Sequence, residues 1–469
     1  MTMPGRMLTL AGLTCASLLA ATPAVAQPAA PADAPDIELF MQATAYDEQF
    51  AQGALAEIAA AWDDGYASIV VDLIDMLRRT SLVDPRSWIV LGRLVQFLEA
   101  QTGQTFENDL ARWHAWVWSL PYEPHPEYGR FKGLLYRMLD PRFESFFQPP
   151  VEASIRLDEV DWGGVAVNGI PPLDHPAHVS AADATYLDDD DVVFGFYTDG
   201  GARAYPKRIL AWHEMALDTV GEVELTLVYC TLCGTVIPYD SELGGRVRTF
   251  GTSGLLYQSN KLMFDAATNS LWSSLEGRPV VGPLVGSGLR LSVLPVVTTT
   301  WGEWRALHPE TTALSIETGY SRDYSEGAAY RSYFATDALM FGVSRMDDRL
   351  PNKAEVLVPR LATASAAPLA ISTAFLDDRP VYQFDADGRA FVIVTSAAGA
   401  NRVYESGSRR FAVAPGDERL VDADGGEWVV EEEYLRSAGA AGVRLPRVPA
   451  HRAFWFAWYA QHPDTRLIQ

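Results

Sequence analysis

Two hydrophobic patterns divide this chain of 469 residues. Between about residues 35 and 147, apolar residues recur at three- and four-residue steps, as in PRSWIVLGRLVQFLEAQTG, which is typical of amphipathic helices. After Pro149 and Pro150, short runs such as VELTLVYC and AFVIVT alternate with Gly, Asp and Pro, which is typical of strands and turns. We therefore predict an α+β protein in which a helical N-terminal region, residues 27–150, precedes a domain with largely antiparallel or mixed sheets.

The sheet-rich part contains two similar stretches of sequence. WGEWRALHPET and WFAWYAQHPDT share two Trp residues, a His-Pro pair and a Thr at identical spacing. VYCTLCGTVIPYDS and IVTSAAGANRVYES also align without a gap, so that Gly234 corresponds to Gly399. Self-similarity of this kind is typical of repeated units that share a core. We predict an internal duplication, with a first half over residues 151–330 and a second half over residues 331–469.

The two predicted halves differ at one chemically important place. Cys230 and Cys233 of the first half correspond to Thr395 and Ala398 of the second. The shared Trp, His-Pro and Gly residues are expected to build the scaffold, because both halves contain them. The thiols are not needed for that scaffold, so their position is the strongest candidate for a functional site.

The beginning of the chain predicts export. Arg6 precedes an apolar stretch over residues 7–21, and the small-residue pattern AVA follows, which together indicate a secretory signal peptide over residues 1–26. Cys15 would leave with that peptide. We expect a periplasmic or secreted protein, in a compartment where a disulfide can persist. No later stretch approaches the ~18 apolar residues of a membrane span, so none is expected in the mature form.

Charge narrows the classes of partner. The formal net charge is −23 at pH 7, whereas nucleic-acid binding needs clustered Lys and Arg. We expect no nucleic-acid partner, and a small molecule, a peptide or another protein all stay open. No Walker loop, dinucleotide fingerprint or nucleophile elbow is present, so the sequence leaves any enzymatic activity undecided.

Three interpretations of the Cys-Thr-Leu-Cys sequence remain open. In the first, the thiols bind a thiophilic metal together with His213 and Met263, a soft donor set that suits copper(I) better than zinc. His213 lies on the apolar stripe of a helix predicted across ARAYPKRILAWHEMALDTV, and the following strand ends at Cys230. In the second, the pair is a redox dithiol. In the third, it is a structural disulfide, worth only ~1–2 kcal/mol because the loop is short.

A non-catalytic binding module is the alternative of a different class. The stretch TFGTSGLLYQSNKLMFD predicts a tight loop around its two glycines, followed by polar residues. We expect Ser253, Tyr257, Asn260 and Asp265 to contribute to ligand binding, the first three on the rim of a cleft between the two halves. Exposed aromatic side chains in that cleft would favour this interpretation over the metal site.

Several motifs resemble one family. YCTLCG, TFGTSGLLYQSN, MFDAATNSLW, RAYPKRILAWHE and AHRAFWFAWYAQHPDT are similar to motifs of the domain of unknown function 3179 family of bacterial exported proteins, over about residues 150–469. Members usually have proline where this chain has Thr231, which leaves both sulfurs in place. The resemblance implies a shared fold and a functional site near the cysteines, but no established reaction.

Overall fold

The computed structural model describes residues 34–80, 86–361, 367–414, 419–439 and 442–469. The predicted signal peptide, with Cys15, lies outside the described residues.

Helices fill the described residues before residue 150, as predicted. They are α1 (Ile37–Gln42), α2 (Glu48–Ala60), α3 (Ala67–Thr80), α4 (Ser87–Thr102), α5 (Leu110–Ser119) and α6 (Tyr128–Tyr136). The carboxylates of Asp47 and Asp109 accept hydrogen bonds from free backbone N–H groups in the first turns of α2 and α5. Gly103 ends α4 in the left-handed conformation, with φ 69°. The apolar stripes of these helices face one another and enclose a common core that contains Leu94 and Trp113.

Strands dominate the first half. Its elements in chain order are β1 (Val160–Trp162), β2 (Leu173–Asp174), β3 (His178–Ser180), β4 (Val192–Thr198), β5 (Gly201–Pro206), α7 (Lys207–His213), β6 (Met215–Val220), β7 (Val223–Cys230), β8 (Thr235–Asp240), β9 (Phe250–Tyr257), β10 (Asn260–Asp265), β11 (Leu271–Ser273), β12 (Arg278–Val281), β13 (Ser292–Val293), β14 (Val297–Thr300), α8 (Trp301–Leu307) and β15 (Thr312–Leu314).

The predicted second half begins with the short helix α9 (Arg331–Phe334). The second half then contains β16 (Glu355–Pro359), β17 (Leu369–Ser372), α10 (Thr373–Asp377), β18 (Val381–Ala386), β19 (Arg389–Thr395), β20 (Asn401–Glu405), β21 (Phe411–Val413), β22 (Leu420–Asp422), β23 (Glu427–Val430), β24 (Tyr434–Ser437), β25 (Arg444–Val448), β26 (Ala450–Phe454), α11 (Trp455–Tyr459) and β27 (Arg466–Ile468).

The two halves arrange their strands in the same order. The order β14-β4-β5-β15 in the first half corresponds to β26-β16-β17-β27 in the second, and in both sheets two antiparallel pairs are followed by a parallel pair. The order β13-β8-β7-β6 likewise corresponds to β25-β20-β19-β18. The predicted fold class is confirmed: a helical region precedes a domain of antiparallel and mixed sheets. Internal duplication itself stays a prediction, with which these strand orders agree.

Two local predictions were wrong. The helix expected across residues 202–220 is only α7, because Glu214 adopts a left-handed conformation with φ 57° and strand β6 begins at Met215. Apolar residues at 209, 212, 213, 216 and 217 fit a helical stripe, but they also fit a short helix followed by a strand. The tight loop expected at Gly251 and Gly254 is part of strand β9, and the chain reverses later, at Gln258 and Ser259.

The helical region packs on one sheet of the first half. Leu255, Leu262 and Leu271, from strands β9 to β11, belong to the same buried cluster as the N-terminal helices. This core is continuous across residue 150, so the helices cover the sheet β9-β10-β11-β12. The predicted domain boundary itself stays a prediction.

The His-Pro motifs of the two halves make reciprocal contacts. His308 stacks on Trp304 in the first half, and its Nε2 lies 3.5 Å from Glu432 of the second half. His462 stacks on Trp458 in the second half, and its Nε2 lies 3.0 Å from Glu276 of the first half. Each motif therefore joins its own aromatic helix to a largely buried glutamate of the other half.

Arginines neutralise both glutamates. Glu276 pairs with Arg360 at 3.1 Å, and Glu432 pairs with Arg402 at 2.6 Å and with Arg447 at 3.3 Å. Burial raises the pKa of each carboxyl group, but the arginine charges and the histidine hydrogen bonds outweigh it and lower the pKa of both groups. The two glutamates are therefore ionised at neutral pH and stabilise the contact between the halves.

Among the described residues, every helix is too short or too polar to cross a lipid bilayer.

Candidate functional site

The two cysteines form a disulfide in a tight turn between neighbouring strands. Cys230 ends β7, residues 231–233 form one 3-10 turn, and β8 begins immediately after Gly234. Gly234 has φ 61°, and a Cβ atom there would lie 2.8 Å from the ring of Phe454. The turn therefore needs glycine for two reasons: its backbone is left-handed, and an aromatic ring of the second half packs directly on it.

A segment that begins at the predicted boundary between the halves covers this turn. Residues 330–344, here called the cover segment, place Tyr330, Phe334, Leu339, Phe341 and Val343 against the cluster that contains both cysteines. The hydroxyl of Tyr333 donates a hydrogen bond of 2.7 Å to the carbonyl of Leu232, in the middle of the turn. Cys230 is 5% exposed and Cys233 is fully buried, so the disulfide has almost no contact with solvent.

The cover segment is itself fixed from outside. Arg79 of the helical region stacks on the ring of Phe341, and the backbone at Gly342 packs against Trp118. Gln258 and Ser344 exchange two hydrogen bonds, of 2.6 and 2.8 Å. The cover segment is therefore held against the helices and hairpin β9–β10 at Phe341, Gly342 and Ser344, whereas its residues 335–338 are exposed.

His213 is buried, as predicted from its apolar stripe, but other groups satisfy its ring. Its Nδ1 donates to the carbonyl of Pro171 at 2.9 Å, which leaves Nε2 to accept a bond of 2.5 Å from the hydroxyl of Tyr324. Burial lowers its pKa, which favours this neutral form. Both ring nitrogens are engaged, so neither is directed at the cysteines.

Met263 also lies apart from the cysteines. It is fully buried in a cluster with Phe250 and Trp272, whereas the cysteines belong to the cluster under the cover segment. Across the described residues, no group of three or more His, Cys, Asp or Glu side chains is arranged to hold a metal ion. The structure therefore does not assemble Cys230, Cys233, His213 and Met263 into one donor set.

The four predicted ligand-binding residues are engaged within the protein. Ser253 donates to the carbonyl of Leu262 at 2.5 Å, and Asn260 donates to the carbonyl of Ala457 at 3.1 Å. Asp265 is fully buried in an ion pair with Arg248 at 2.6 Å. Tyr257 is half-buried in β9, and burial raises its pKa. These residues hold the hairpin β9–β10 in place, and their ligand-binding role stays a prediction.

Sequence reasoning missed a buried charge beside the disulfide turn. Lys261 is 4% exposed, and its Nζ donates to the backbone carbonyl of Glu214 at 2.7 Å and lies 3.4 Å from its carboxylate. Burial lowers the pKa of Lys261, and the Glu214 carboxylate opposes that effect. The pair joins hairpin β9–β10 to the end of α7. A lysine inside the apolar run of NKLMF was the signal for a buried partner.

The sequence also did not reveal a cavity of about 1050 Å³ at the contact between the halves. Its wall includes the exposed apolar side chains of Leu307, 53% exposed, and Val429, 40% exposed. Further lining residues come from α8, from the end of α10 and the loop after it, from strands β18 to β20 with the turn after β19, and from strands β21 to β23 with the residue before β22: Glu303, Asp377, Pro380, Val381, Val394, Thr395, Ser396, Ala397, Ala398, Gly399, Arg402, Val413, Arg419, Leu420, Trp428 and Val430.

The turn in this cavity aligns with the disulfide turn. Residues 395–399 follow β19 as residues 230–234 follow β7, and Gly399 shares the left-handed backbone of Gly234, with φ 81°. Ser396 donates to Glu303 of α8 at 2.7 Å, which fixes the turn against the first half. Ala397 and Ala398, which correspond to Leu232 and Cys233, are exposed in the cavity wall.

Comparison with known proteins gives a family and no activity. No curated protein and no solved structure was found to match this chain. The family described as "Protein of unknown function (DUF3179)" matches residues 167–465, a range that includes the disulfide turn, the cover segment and the cavity. This match spans well over half of the sequence, and the chain therefore belongs to the DUF3179 family.

Proposed function

We propose that this protein is a non-catalytic binding module whose first half is stabilised by a disulfide and whose ligand enters the cavity at the contact between the halves. The cavity carries the proposal, because solvent-exposed apolar side chains converge on a concave surface there. Large exposed apolar patches on a soluble protein mark binding surfaces, and ligand pockets of roughly 300–1,000 Å³ are typical of small-molecule sites.

The wall of the cavity favours a ligand with an apolar body. Leu307, Val381, Val429 and Ala397 supply apolar surface from four different elements or turns. Charged groups of both signs lie among them: Glu303 and Asp377 are acidic, and Arg402 and Arg419 of the second half are basic. A few placed polar groups in an apolar pocket orient a ligand, while burial of its apolar surface provides the binding free energy.

The burial of the disulfide supports a structural role over thiol exchange. Exchange requires a thiolate to reach one of the two sulfurs, and the cover segment lies over both. We also propose that the protein works in the periplasm or outside the cell, where a disulfide persists. The predicted signal peptide leads to the same compartment.

An apolar fluorescent probe tests the binding proposal. We expect Nile red, which is neutral, to bind the full-length protein saturably with an increase in fluorescence. Ala397→Trp places an indole in the cavity and should weaken binding at least tenfold. Ala182→Trp is the matched control, because Ala182 is also an exposed turn alanine but lies outside the cavity. Equal binding by both variants, or none by the native protein, would remove the proposal.

The copper interpretation has its own test. If the pair works as thiolates, the purified protein should contain bound copper, or less readily zinc, together with two free thiols. Our proposal expects no free thiol in the denatured, unreduced mature protein and no metal above background by elemental analysis. Stoichiometric copper would favour the metal centre over a structural disulfide.

A further inference from the structure

We infer that the occupant of the cavity is a peptide segment bearing aromatic side chains, bound in the way that the chain's own cover segment binds the first half. The inference rests on the proposed function and names its ligand class. It follows from one comparison: the surface that lines the open cavity in the second half corresponds, element by element, to the surface that the cover segment occupies in the first.

The cover segment contacts four elements around the disulfide turn. Tyr333 bonds to the turn itself, at the carbonyl of Leu232. The hydroxyl of Tyr330 donates a long bond of 3.5 Å to Glu214, at the end of α7. Ser259, in the turn of hairpin β9–β10, donates to the carbonyl of Phe341 at 3.0 Å.

The fourth contact is with the helix of the other half. Phe456 and Ala457 of α11 belong to the cluster on which the aromatic residues of the cover segment pack. The first half alone therefore does not complete this binding surface. Its strands supply the turn and the hairpin, and the second half supplies the helix.

The cavity is lined by the counterparts of these four elements. The turn after β19 replaces the disulfide turn, and Asp377 at the end of α10 takes the place of Glu214. Strands β21 and β22 contribute Val413 and Leu420 where hairpin β9–β10 lies in the first half. Helix α8 of the first half contributes Glu303 and Leu307 where α11 lies.

Side-chain size explains why one surface is filled and the other open. The disulfide turn carries Leu232 and Cys233, which pack on the cover segment, whereas the second turn carries two exposed alanines. The carbonyl of Ala397 corresponds to the carbonyl of Leu232, which accepts the hydrogen bond from Tyr333. A tyrosine of the bound peptide would donate the same hydrogen bond to Ala397. Tyrosine and phenylalanine bury large apolar areas with few rotatable bonds, which makes them effective peptide anchors.

The experiment uses the cover segment itself as the probe. A fluorescein-labelled synthetic peptide of residues 329–344, AYRSYFATDALMFGVS, is titrated into the full-length protein and followed by fluorescence anisotropy. Arg79 and Trp118 of the helical region contact the native cover segment at Phe341 and Gly342, and the Ala397→Trp variant distinguishes peptide bound in the cavity from peptide bound elsewhere. We expect saturable binding and displacement of Nile red.

Variants locate the bound peptide. Ala397→Trp in the protein should weaken peptide binding at least tenfold, and Ala182→Trp should leave it unchanged. A peptide carrying Tyr333→Ala and Phe334→Ala should bind at least tenfold more weakly than the native peptide. Equal binding of both peptides, or binding that is insensitive to Ala397→Trp, would overturn the inference.

The two proposals fail in different ways. Nile red bound at the cavity without peptide binding would overturn the peptide inference and leave the binding module intact. Failure of both ligands to respond to Ala397→Trp would overturn the proposed function as well.

Discussion

The turns after β7 and β19 show how one backbone is used in two ways. Both follow a central strand, both end in a glycine with positive φ, and both lead into the next antiparallel strand. The first contains a disulfide and lies under the cover segment, whereas the second contains Thr395 and Ala398 and opens into the cavity. The difference indicates that the residues common to both turns form the turn, and that the residues that differ determine which side chains pack on it.

In the sequence, the cysteines were the strongest candidate for a functional site, but the comparison of the two turns changes that interpretation. A sulfur pair found in one half alone suggested chemistry at the sulfurs. In the structure, that turn is the closed one, and the half without sulfur has the open surface. A residue missing from one of two similar units therefore marks a functional difference without saying which unit carries the function.

The largest expected effect distinguishes the two buried glutamates. Glu432→Gln should lower the free energy of unfolding by about 3 kcal/mol, because it removes the carboxylate that pairs with buried Arg447 and leaves buried Arg402 with Glu303, 3.5 Å away. Glu276→Gln should lower the free energy of unfolding by less, about 2 kcal/mol, because the two arginines that pair with Glu276 are in contact with solvent. Arg360 is partly exposed, and the side chain of Arg290 is 57% exposed. Urea unfolding at pH 7 measures both.

The pH dependence of stability provides the control for the two glutamate substitutions. Since the folded-state pKa of each glutamate lies below its ordinary value, the stabilisation is complete above about pH 4.3, the unfolded-state pKa, and is lost as pH falls toward the folded-state value. The native protein should therefore lose stability below about pH 4.3 more steeply than the double variant Glu276→Gln/Glu432→Gln. Parallel curves would contradict an ionised role for these groups.

The glycines of the two turns give the next contrast. Gly234→Ala should cost about 3 kcal/mol, since left-handed strain adds to overpacking of the new methyl group against Phe454. Gly399→Ala should cost about 1 kcal/mol, the strain alone, because the nearest atom is a carboxylate oxygen of Asp377 at 3.8 Å. Thermal or urea unfolding compares the two. Equal losses would mean that Phe454 does not close the first turn.

The effect expected from loss of the disulfide lies between those of the two glycine substitutions. Cys230→Ala/Cys233→Ala should lower stability by about 2 kcal/mol, as loop entropy predicts for so short a loop. A reductant should destabilise the native protein by a similar amount and leave the double variant unchanged. A much larger loss, or a loss of Nile red binding, would show that the sulfurs do more than restrain the turn.

Local sequence patterns gave much of the architecture. The change from helical to strand spacing near residue 150, the strand that ends at Cys230 and the two aromatic helices with their His-Pro motifs are all present. Such features depend on the alternation of apolar and polar residues within about ten positions. Where two local patterns fit the same residues, as after His213, the prediction was wrong because a single left-handed residue ended the helix.

Contacts between distant parts of the chain were decided by tertiary structure alone. The approach of the cover segment to Leu232, the pairing of Lys261 with Glu214, and the reciprocal His-Glu contacts join residues from 47 to more than 180 positions apart. The periodicity of a sequence shows which face of an element is apolar, but it does not show which other element packs on that face. The hydrophobic effect is non-directional, so many pairings of apolar faces would bury the same surface. The sequence determined the similarity of the two halves and the cysteine pair present in one of them, whereas contacts between distant segments determined which turn is covered and which is exposed in the cavity wall.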